Sequence, residues 1–157
     1  MKASPPDLSL LVAAVRKTKG VDVKQLLDQS AWKALSHVLL PRDVAPHKCL
    51  VRQGDAGRSL FLIESGSARV YREQDRGRLQ LAVLGAGSVV GEGTFFAHIV
   101  RSASVETLEP AKVWELSAPA FDDLVRGSPL AALQLCRFLG AVLATRMLSV
   151  TGRLSIT

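Results

Sequence analysis

A glycine-rich stretch between residues 84 and 105 contains the residues of this chain best suited to binding chemistry. Gly91 and Gly93 flank Glu92 and would let the backbone approach a ligand closely. Arg101 follows nine residues after Glu92, and its guanidinium could neutralise a phosphate through a forked pair of hydrogen bonds. Because a carboxylate accepts hydrogen bonds from sugar hydroxyl groups, the two side chains together suit a ligand that carries both a ribose and a phosphate.

Two neighbouring residues extend this candidate site. Ser102 adds a hydroxyl group beside Arg101. If Thr94 begins a short helix, the free N–H groups of its first turn would form an anion site. The alternative is that Glu92 and Arg101 make an ordinary surface salt bridge, which is worth only about 0 to 1 kcal/mol. The surrounding glycines favour the ligand-binding interpretation.

The hydrophobic pattern predicts the elements that would position this stretch. Apolar residues at helical spacing predict one helix after Asp7, which can cap it, and a second over about Val23 to Val38. Residues 45 to 117 form short apolar runs separated by glycine-containing turns, which is typical of an all-β barrel or sandwich. The predicted strands are Cys49 to Arg52, Leu60 to Ser65, Ala68 to Glu73, Leu79 to Leu84, Ser88 to Val90, Arg101 to Leu108 and Ala111 to Leu116.

Residues 118 to 157 have a helical pattern. A short helix from Pro119 stops at Gly127-Ser128-Pro129, where a long helix to about Val150 begins. Apolar residues of the long helix recur at intervals of three and four, as in a seam between paired helices. The seam consists of Leu133, Cys136, Gly140, Leu143, Met147 and Val150. The same stripe could instead pack on the chain's own barrel, because neighbouring apolar residues widen it.

Composition restricts the class of protein. The chain has 157 residues, 48% of them hydrophobic, which suffices for the core of one domain. Its net charge of +6 comes from scattered basic residues, whereas direct DNA binding usually needs a cluster. No uninterrupted apolar run approaches the roughly 20 residues of a membrane helix, and the two cysteines lack disulfide or zinc spacing. These features favour a cytoplasmic protein without membrane attachment.

No catalytic centre is predicted. The three histidines lie apart from one another and from any cysteine or acidic cluster at ligand spacing. A metalloenzyme of the cupin kind would need such a cluster around its metal ion. We therefore expect neither a metal site nor an enzyme.

The segment LGAGSVVGEGTFFAHIVRSASV, residues 84 to 105, resembles the phosphate-binding cassette of the cyclic-nucleotide-binding domain family. This family includes catabolite activators, protein kinase A regulatory subunits and cyclic-nucleotide-gated channels. QGDAGRSLFLIESGSARVY, residues 53 to 71, resembles the family's Gly-Asp turn, the following strand and its glycine corner. The resemblance covers roughly residues 25 to 150.

The resemblance implies an α+β, mainly β fold. This fold is an antiparallel eight-stranded β-roll, similar to a jelly roll, with helices at both ends. Residues 1 to 44 would form N-terminal helices that pack on the roll, and residues 45 to 117 the roll with its cassette. Residues 118 to 157 would form a hinge and the lid or dimerisation helices. All three parts belong to one domain.

The resemblance also implies a role for each candidate residue. Glu92 would accept a hydrogen bond from the ribose 2′-hydroxyl, and Arg101 would pair with the cyclic phosphate. Backbone amides around Gly93 and Thr94, together with Ser102, would complete the phosphate cage.

The base would lie elsewhere in the site. Ala82 and Leu84 would flank it, and Arg146, on the last helix, is the candidate lid over it. The segment departs from the family's usual pattern at Gly93-Thr94 and at Ile99-Val100. A second interpretation therefore stays open, in which the β-roll is a dimerisation or docking module that binds no nucleotide.

The function implied by the resemblance is that of a regulatory sensor. cAMP or cGMP would bind in the cassette, and the hinge near residues 127 to 129 would let the last helix move. Ser102 does not decide between the two nucleotides, and no cofactor besides the ligand is expected. The expected partners are the cyclic mononucleotide, a second copy through the C-terminal helix, and an output domain or protein outside this chain. A helix-turn-helix has no room after the long helix, so we expect no direct DNA binding from this chain.

Overall fold

The structure, a computed structural model, describes residues 3–154. Within that range three helices precede the strands, a fourth interrupts them and two follow. The helices are α1 (Ser9–Val15), α2 (Val23–Leu26), α3 (Gln29–Leu35), α4 (Glu92–Phe96), α5 (Ala118–Gly127) and α6 (Pro129–Leu154). The strands are β1 (Leu40–Val44), β2 (Cys49–Val51), β3 (Leu60–Ser65), β4 (Ala68–Gln74), β5 (Gly77–Leu84), β6 (Val89–Val90), β7 (Ser104–Thr107) and β8 (Ala111–Leu116).

The strands form two four-stranded sheets. One has the order β1-β8-β3-β6 and the other the order β2-β7-β4-β5, and their pairings are antiparallel. Alternate side chains of both sheets point into one shared apolar cluster, because successive residues of a strand face opposite sides. The cluster includes Phe61, Ile63 and Val113 from the first sheet and Val51, Ala68 and Val105 from the second. The predicted antiparallel eight-stranded β-roll is confirmed.

One prediction for the N-terminal region is wrong at β1. Residues 1 to 44 were expected to be helical, yet Leu40–Val44 is a strand that pairs with β8 along its whole length. Four of its five residues are exposed and the fifth is half-buried, so the segment has no alternating apolar pattern. Pairing with β8, and not an apolar pattern of its own, therefore makes this segment a strand.

The helix predicted over Val23 to Val38 is also wrong, because it is two helices. Leu27 is extended, with φ −120° and ψ 99°, and ends α2. Asp28 then caps α3 by accepting a hydrogen bond of 2.8 Å from the Ala31 N–H. Competition of this kind between an Asp side chain and the helical backbone favours a helix start over helix continuation.

Helix α6 packs on the roll and on the other helices through one face. Its buried residues are Ala131, Ala132, Leu135, Phe138, Leu139 and Val142. The predicted seam lies on a different face, where Leu133 and Met147 are 55% and 69% exposed and Cys136 and Leu143 are half-buried. The side chain of Val150 lies outside the described ones. The stripe that packs on the barrel is therefore not the predicted seam.

The segment Pro129–Ser149 of α6 is long and apolar enough to cross a membrane by length and composition alone. A third of its most apolar window is buried inside the protein. Core helices of folded domains meet the same criterion, so this feature is weak evidence for a membrane span.

Candidate functional site

A cavity of about 320 Å³ lies where the roll, α4 and α6 meet. It is lined by all nine residues that the sequence analysis singled out, which are Ala82, Leu84, Gly91, Glu92, Gly93, Thr94, Arg101, Ser102 and Arg146. The structure thus brings together residues up to 64 positions apart in the chain, from Ala82 to Arg146. Their roles in binding stay predictions.

Gly91 makes the sharp corner between β6 and α4. Its φ of +89° lies in the left-handed region, which side chains other than glycine rarely adopt. A Cβ atom there would lie 2.5 Å from Arg101 Nη1 and 2.7 Å from the Ser59 carbonyl oxygen. Glycine at this position therefore makes room for the arginine itself, in addition to allowing the turn.

Helix α4 begins at Glu92, two residues before the predicted start at Thr94. The reason is the left-handed conformation of Gly91, which ends β6 and directs the chain into the helix at once. The first-turn N–H groups, including those of Gly93 and Thr94, have no acceptor within the helix. Both residues line the cavity, where an anion could accept hydrogen bonds from such amides.

Backbone groups hold Arg101 at the other side of the corner. Its Nη1 donates to the Gly91 carbonyl at 3.0 Å and its Nη2 to the Ser59 carbonyl at 2.7 Å. Its own N–H donates to the Asp55 carbonyl at 2.8 Å, and its carbonyl accepts from the Gly54 N–H at 2.8 Å. The Gly-Asp turn and the cassette, which are separate motifs in the sequence, thus meet at this arginine.

The strand predicted to begin at Arg101 is corrected by the same contacts. Strand β7 begins at Ser104, because the backbone of Arg101 bonds to the Gly54-Asp55 turn instead of to a sheet partner. The arginine consequently lies in the irregular segment between α4 and β7.

Arg101 is a buried cation, only 6% exposed. In residues 3–154 no carboxylate lies within 4.0 Å of its guanidinium nitrogens. Burial lowers the pKa of this guanidinium, while the more distant charges of Glu92 and Asp55 raise it. A guanidinium has five N–H donors, of which the two carbonyl contacts use two. Donors therefore remain for an anion in the cavity.

The carboxylate of Glu92 contacts the last helix. Arg146 Nη1 donates to Glu92 Oε1, and Arg146 Nη2 donates to the Val89 carbonyl at 2.9 Å. Arg146 lines the cavity, as expected of a lid residue, but its guanidinium lies on the residue predicted to bind the ribose. Its role as a lid over Ala82 and Leu84, which line the same cavity, stays a prediction.

The remaining wall of the cavity is mostly apolar. Ala82 and Leu84 of β5 lie beside Val70, which pairs with Ala82 across the sheet. Ile99 and Val100, at the departure from the family pattern, are 56% and 57% exposed while lining the cavity. An apolar wall beside a charged end suits a flat base attached to a sugar phosphate.

Gly93 and Thr94, the other departure from the family's usual pattern, fit the structure without strain. A Cβ atom at Gly93 would meet only Ile99 Cδ1, at 4.0 Å. The hydroxyl of Thr94, which is 3% exposed, donates to the Gly91 carbonyl at 3.4 Å. Ser102 is exposed at the rim, and its carbonyl accepts from Arg72 Nε at 3.2 Å.

Sequence reasoning missed several residues that contribute to the site through their backbone or as part of its wall. The carbonyl groups of Ser59 and Val89 orient the two arginines, and Val70 forms part of the apolar wall. Carbonyl groups are common to all residues, so the sequence carries no signal for the first two. In the part of the chain that the structure describes, no group of three or more His, Cys, Asp or Glu could hold a metal ion.

Comparison with known proteins defines the class. The family model described as cyclic nucleotide-binding domain matches residues 41–128, which is more than half of the chain. The chain therefore belongs to the cyclic nucleotide-binding domain family, as its sequence resemblance implied.

Two curated relatives show the range of this family. The chain is 35% identical over 101 residues to the cyclic AMP receptor protein of Thermus thermophilus, an alignment that covers 64% of this chain and 45% of the relative. It is 29% identical over 124 residues to the cAMP-dependent protein kinase type II regulatory subunit of Drosophila melanogaster, covering 74% and 33%. The chain thus spans less than half the length of either protein.

A solved structure is similar over nearly the whole fold. It is the crystal structure of a cyclic nucleotide-binding domain from Methylobacillus flagellatus, with a TM-score of 0.75 and 22% sequence identity. The similarity covers 93% of this chain and 79% of that one. At this identity it shows a common fold.

Proposed function

We propose that this chain binds a cyclic mononucleotide, cAMP or cGMP, in the cavity and acts as a regulatory sensor. The observation that carries the proposal is the buried guanidinium of Arg101, which has unused donors and no carboxylate within 4.0 Å among the described residues. An unpaired buried charge is costly, and a bound phosphate would supply the missing counter-charge. The two curated relatives described above are, by name, a cyclic AMP receptor and a subunit of a cAMP-dependent kinase.

The charges of the cavity support a ligand with a single negative charge. Its ionisable lining residues are Glu92, Arg101 and Arg146, so one negative and two positive charges leave a net charge of +1. A cyclic nucleotide monophosphate has one ionised phosphodiester and matches this charge. Its ribose would lie at Glu92 and its base against Ala82 and Leu84.

Binding would act on α6 because that helix contributes to the cavity through Arg146. A ligand can move the helix only if it binds one helix position more tightly than another. The signal would pass to an output domain or protein outside this chain, which accords with the greater length of the curated relatives. We further propose a cytoplasmic protein without catalytic activity and without a cofactor besides its ligand.

Titration calorimetry of the chain with cAMP and with cGMP tests this function. We expect binding of at least one nucleotide at one site per chain. A ligand at 100 times its Kd should also add about 2.7 kcal/mol to the free energy of unfolding, which raises the melting temperature. No heat of binding and no thermal shift up to millimolar nucleotide would contradict the proposal.

A second candidate function, dimerisation through α6, is favoured by the exposed seam. Leu133, Gly140 and Met147 are seven residues apart and therefore lie on one face. Leu133 and Met147 are largely exposed, and a Cβ atom at Gly140 would have no neighbour within 4 Å. The face thus offers apolar side chains and a place for close helix approach.

Analytical ultracentrifugation tests this candidate. We expect the wild-type chain to dimerise and Leu133→Glu to be monomeric, because a charge in an apolar seam opposes pairing. Leu10→Glu is the matched control, since Leu10 is 69% exposed on α1 and lies outside the seam. A monomeric wild-type chain at high concentration would rule out this function for the seam.

A further inference from the structure

The contact between Arg146 and Glu92 joins two elements that are far apart in sequence. Arg146 belongs to α6 and Glu92 to α4. The guanidinium donates to Glu92 Oε1 and, at 2.9 Å, to the carbonyl of Val89. Because all three residues line the cavity, the guanidinium is seated inside the site at the end where the ribose would bind.

Under the proposed function the carboxylate of Glu92 would have two hydrogen-bond donors in the same cavity, and one of them already occupies Oε1. One is the guanidinium of Arg146, and the other is the 2′-hydroxyl of the ribose. A hydrogen bond between two charged groups is stronger than one from a neutral hydroxyl. Glu92 is only 16% exposed in its side chain, so water competes weakly for it, and the guanidinium is its preferred partner before a ligand enters.

We propose that Arg146 is an internal competitor of the ligand. It holds Glu92 in the ligand-free chain and releases it when a nucleotide, anchored through its phosphate at Arg101, brings the ribose 2′-hydroxyl onto the carboxylate. This inference rests on the proposed function of the cavity and gives it a mechanism of regulation. Since Arg146 is part of α6, its release also detaches this helix from α4, which couples occupation of the cavity to the position of the helix.

The competition predicts a specific pattern of affinities for two nucleotides. Titration calorimetry is carried out with cAMP and with 2′-deoxy-cAMP on the wild type and on Arg146→Ala. The variant should bind cAMP about fivefold more tightly, the size expected for loss of a partly exposed ion pair. It should bind 2′-deoxy-cAMP with unchanged affinity, because that ligand has no hydroxyl to place on Glu92.

The matched control is Arg137→Ala, which removes an exposed arginine from the same helix and should bind both nucleotides like the wild type. Three results overturn the inference. Weaker binding of both nucleotides by Arg146→Ala would make the residue a ligand contact, as a lid requires. Equal tightening for both would indicate steric obstruction without competition for Glu92. Unchanged affinity for both would mean that the pair does not oppose binding.

Failure of the proposed function gives a different result, because the wild type would then bind neither nucleotide. Amide hydrogen exchange of the ligand-free chain tests the contact independently. Arg146→Ala should raise exchange at residues 143–149 relative to Arg137→Ala, since the link from α6 to Glu92 and Val89 is lost. Identical exchange in the two variants would overturn the holding role of Arg146.

Discussion

The two ends of the cavity are built in different ways. At the end proposed to bind the phosphate, the phosphate end, the carbonyl groups of Gly91 and Ser59 hold the guanidinium of Arg101, and the Gly54-Asp55 turn holds its backbone. At the end proposed to bind the ribose, the ribose end, the carboxylate of Glu92 is paired with a side chain of the last helix. Backbone groups keep their positions when a ligand arrives, whereas a side-chain pair can exchange partners. The phosphate end is therefore preorganised and the ribose end is adjustable.

We therefore expect the Arg101 end of the cavity to contribute mainly to ligand affinity and the Glu92 end mainly to regulation. A preorganised group loses little conformational freedom on binding, so it contributes most to affinity. An adjustable pair contributes less affinity but can transmit a change, because one of its members belongs to α6. Substitutions at each end of the cavity test this division.

Substitution of Arg101 should have the largest effect on binding. Arg101→Ala removes the forked, charge-assisted hydrogen bonds to the phosphate, and we expect a loss of roughly 100-fold or more in cAMP affinity. Arg101→Lys keeps the charge without the fork and should lose less. Calorimetry measures both, with circular dichroism to verify folding.

Arg76→Ala is the control for this series, since Arg76 is exposed in the turn between β4 and β5. It should bind like the wild type. If a folded Arg101→Ala variant also did so, the phosphate would not lie at this residue and the phosphate end would be wrongly assigned.

The two glycines of the cassette should differ in their effect on stability. Gly91→Ala places a side chain at φ +89° and 2.5 Å from Arg101 Nη1, and we expect a loss of about 1 to 3 kcal/mol in the free energy of unfolding. Gly93→Ala has room, and alanine favours helix, so its change should stay within about 0.5 kcal/mol. Urea denaturation measures the two, and equal losses would show that the corner at Gly91 is not strained by a side chain.

Glu106, outside the cavity, should affect stability alone and by the smallest amount. A hydrogen bond from Arg69 holds the pKa of this carboxyl below its ordinary value of 4.5, and burial opposes the shift. Because the pKa is lower in the folded state, the carboxylate stabilises the fold above pH 4.5, and this contribution is lost as the pH falls through the folded pKa.

The variant Glu106→Gln checks this sign. Its melting temperature should be lower than that of the wild type at pH 7, and the difference should shrink below about pH 4.5. Its affinity for cAMP should be unchanged. A difference that grows on acidification would contradict the direction of the pKa shift, and a large loss of binding would mean that the outer face of β7 takes part in the site.

The predicted elements agree with the structure where the pattern is strong and local. Strands β3 and β8 have the predicted bounds, Leu60–Ser65 and Ala111–Leu116, because each is an apolar run between turns. Strand β1 was missed because its five residues are mostly exposed and depend on pairing with β8. The break at Leu27-Asp28 was missed because the apolar spacing continues across it.

The sequence by itself determined which groups form the proposed phosphate end, since the left-handed glycine, the helix amides and the arginine all lie between residues 91 and 101. The spacing of these neighbours is local, whereas the Ser59 carbonyl and the Gly54-Asp55 turn, from an earlier part of the chain, fix the orientation of the arginine. Only the tertiary structure decided the partner of Glu92, which lies 54 residues away on α6. The reason is physical: a carboxylate pairs with whichever cation the packing of the helices places beside it, and no spacing rule along the chain encodes that choice.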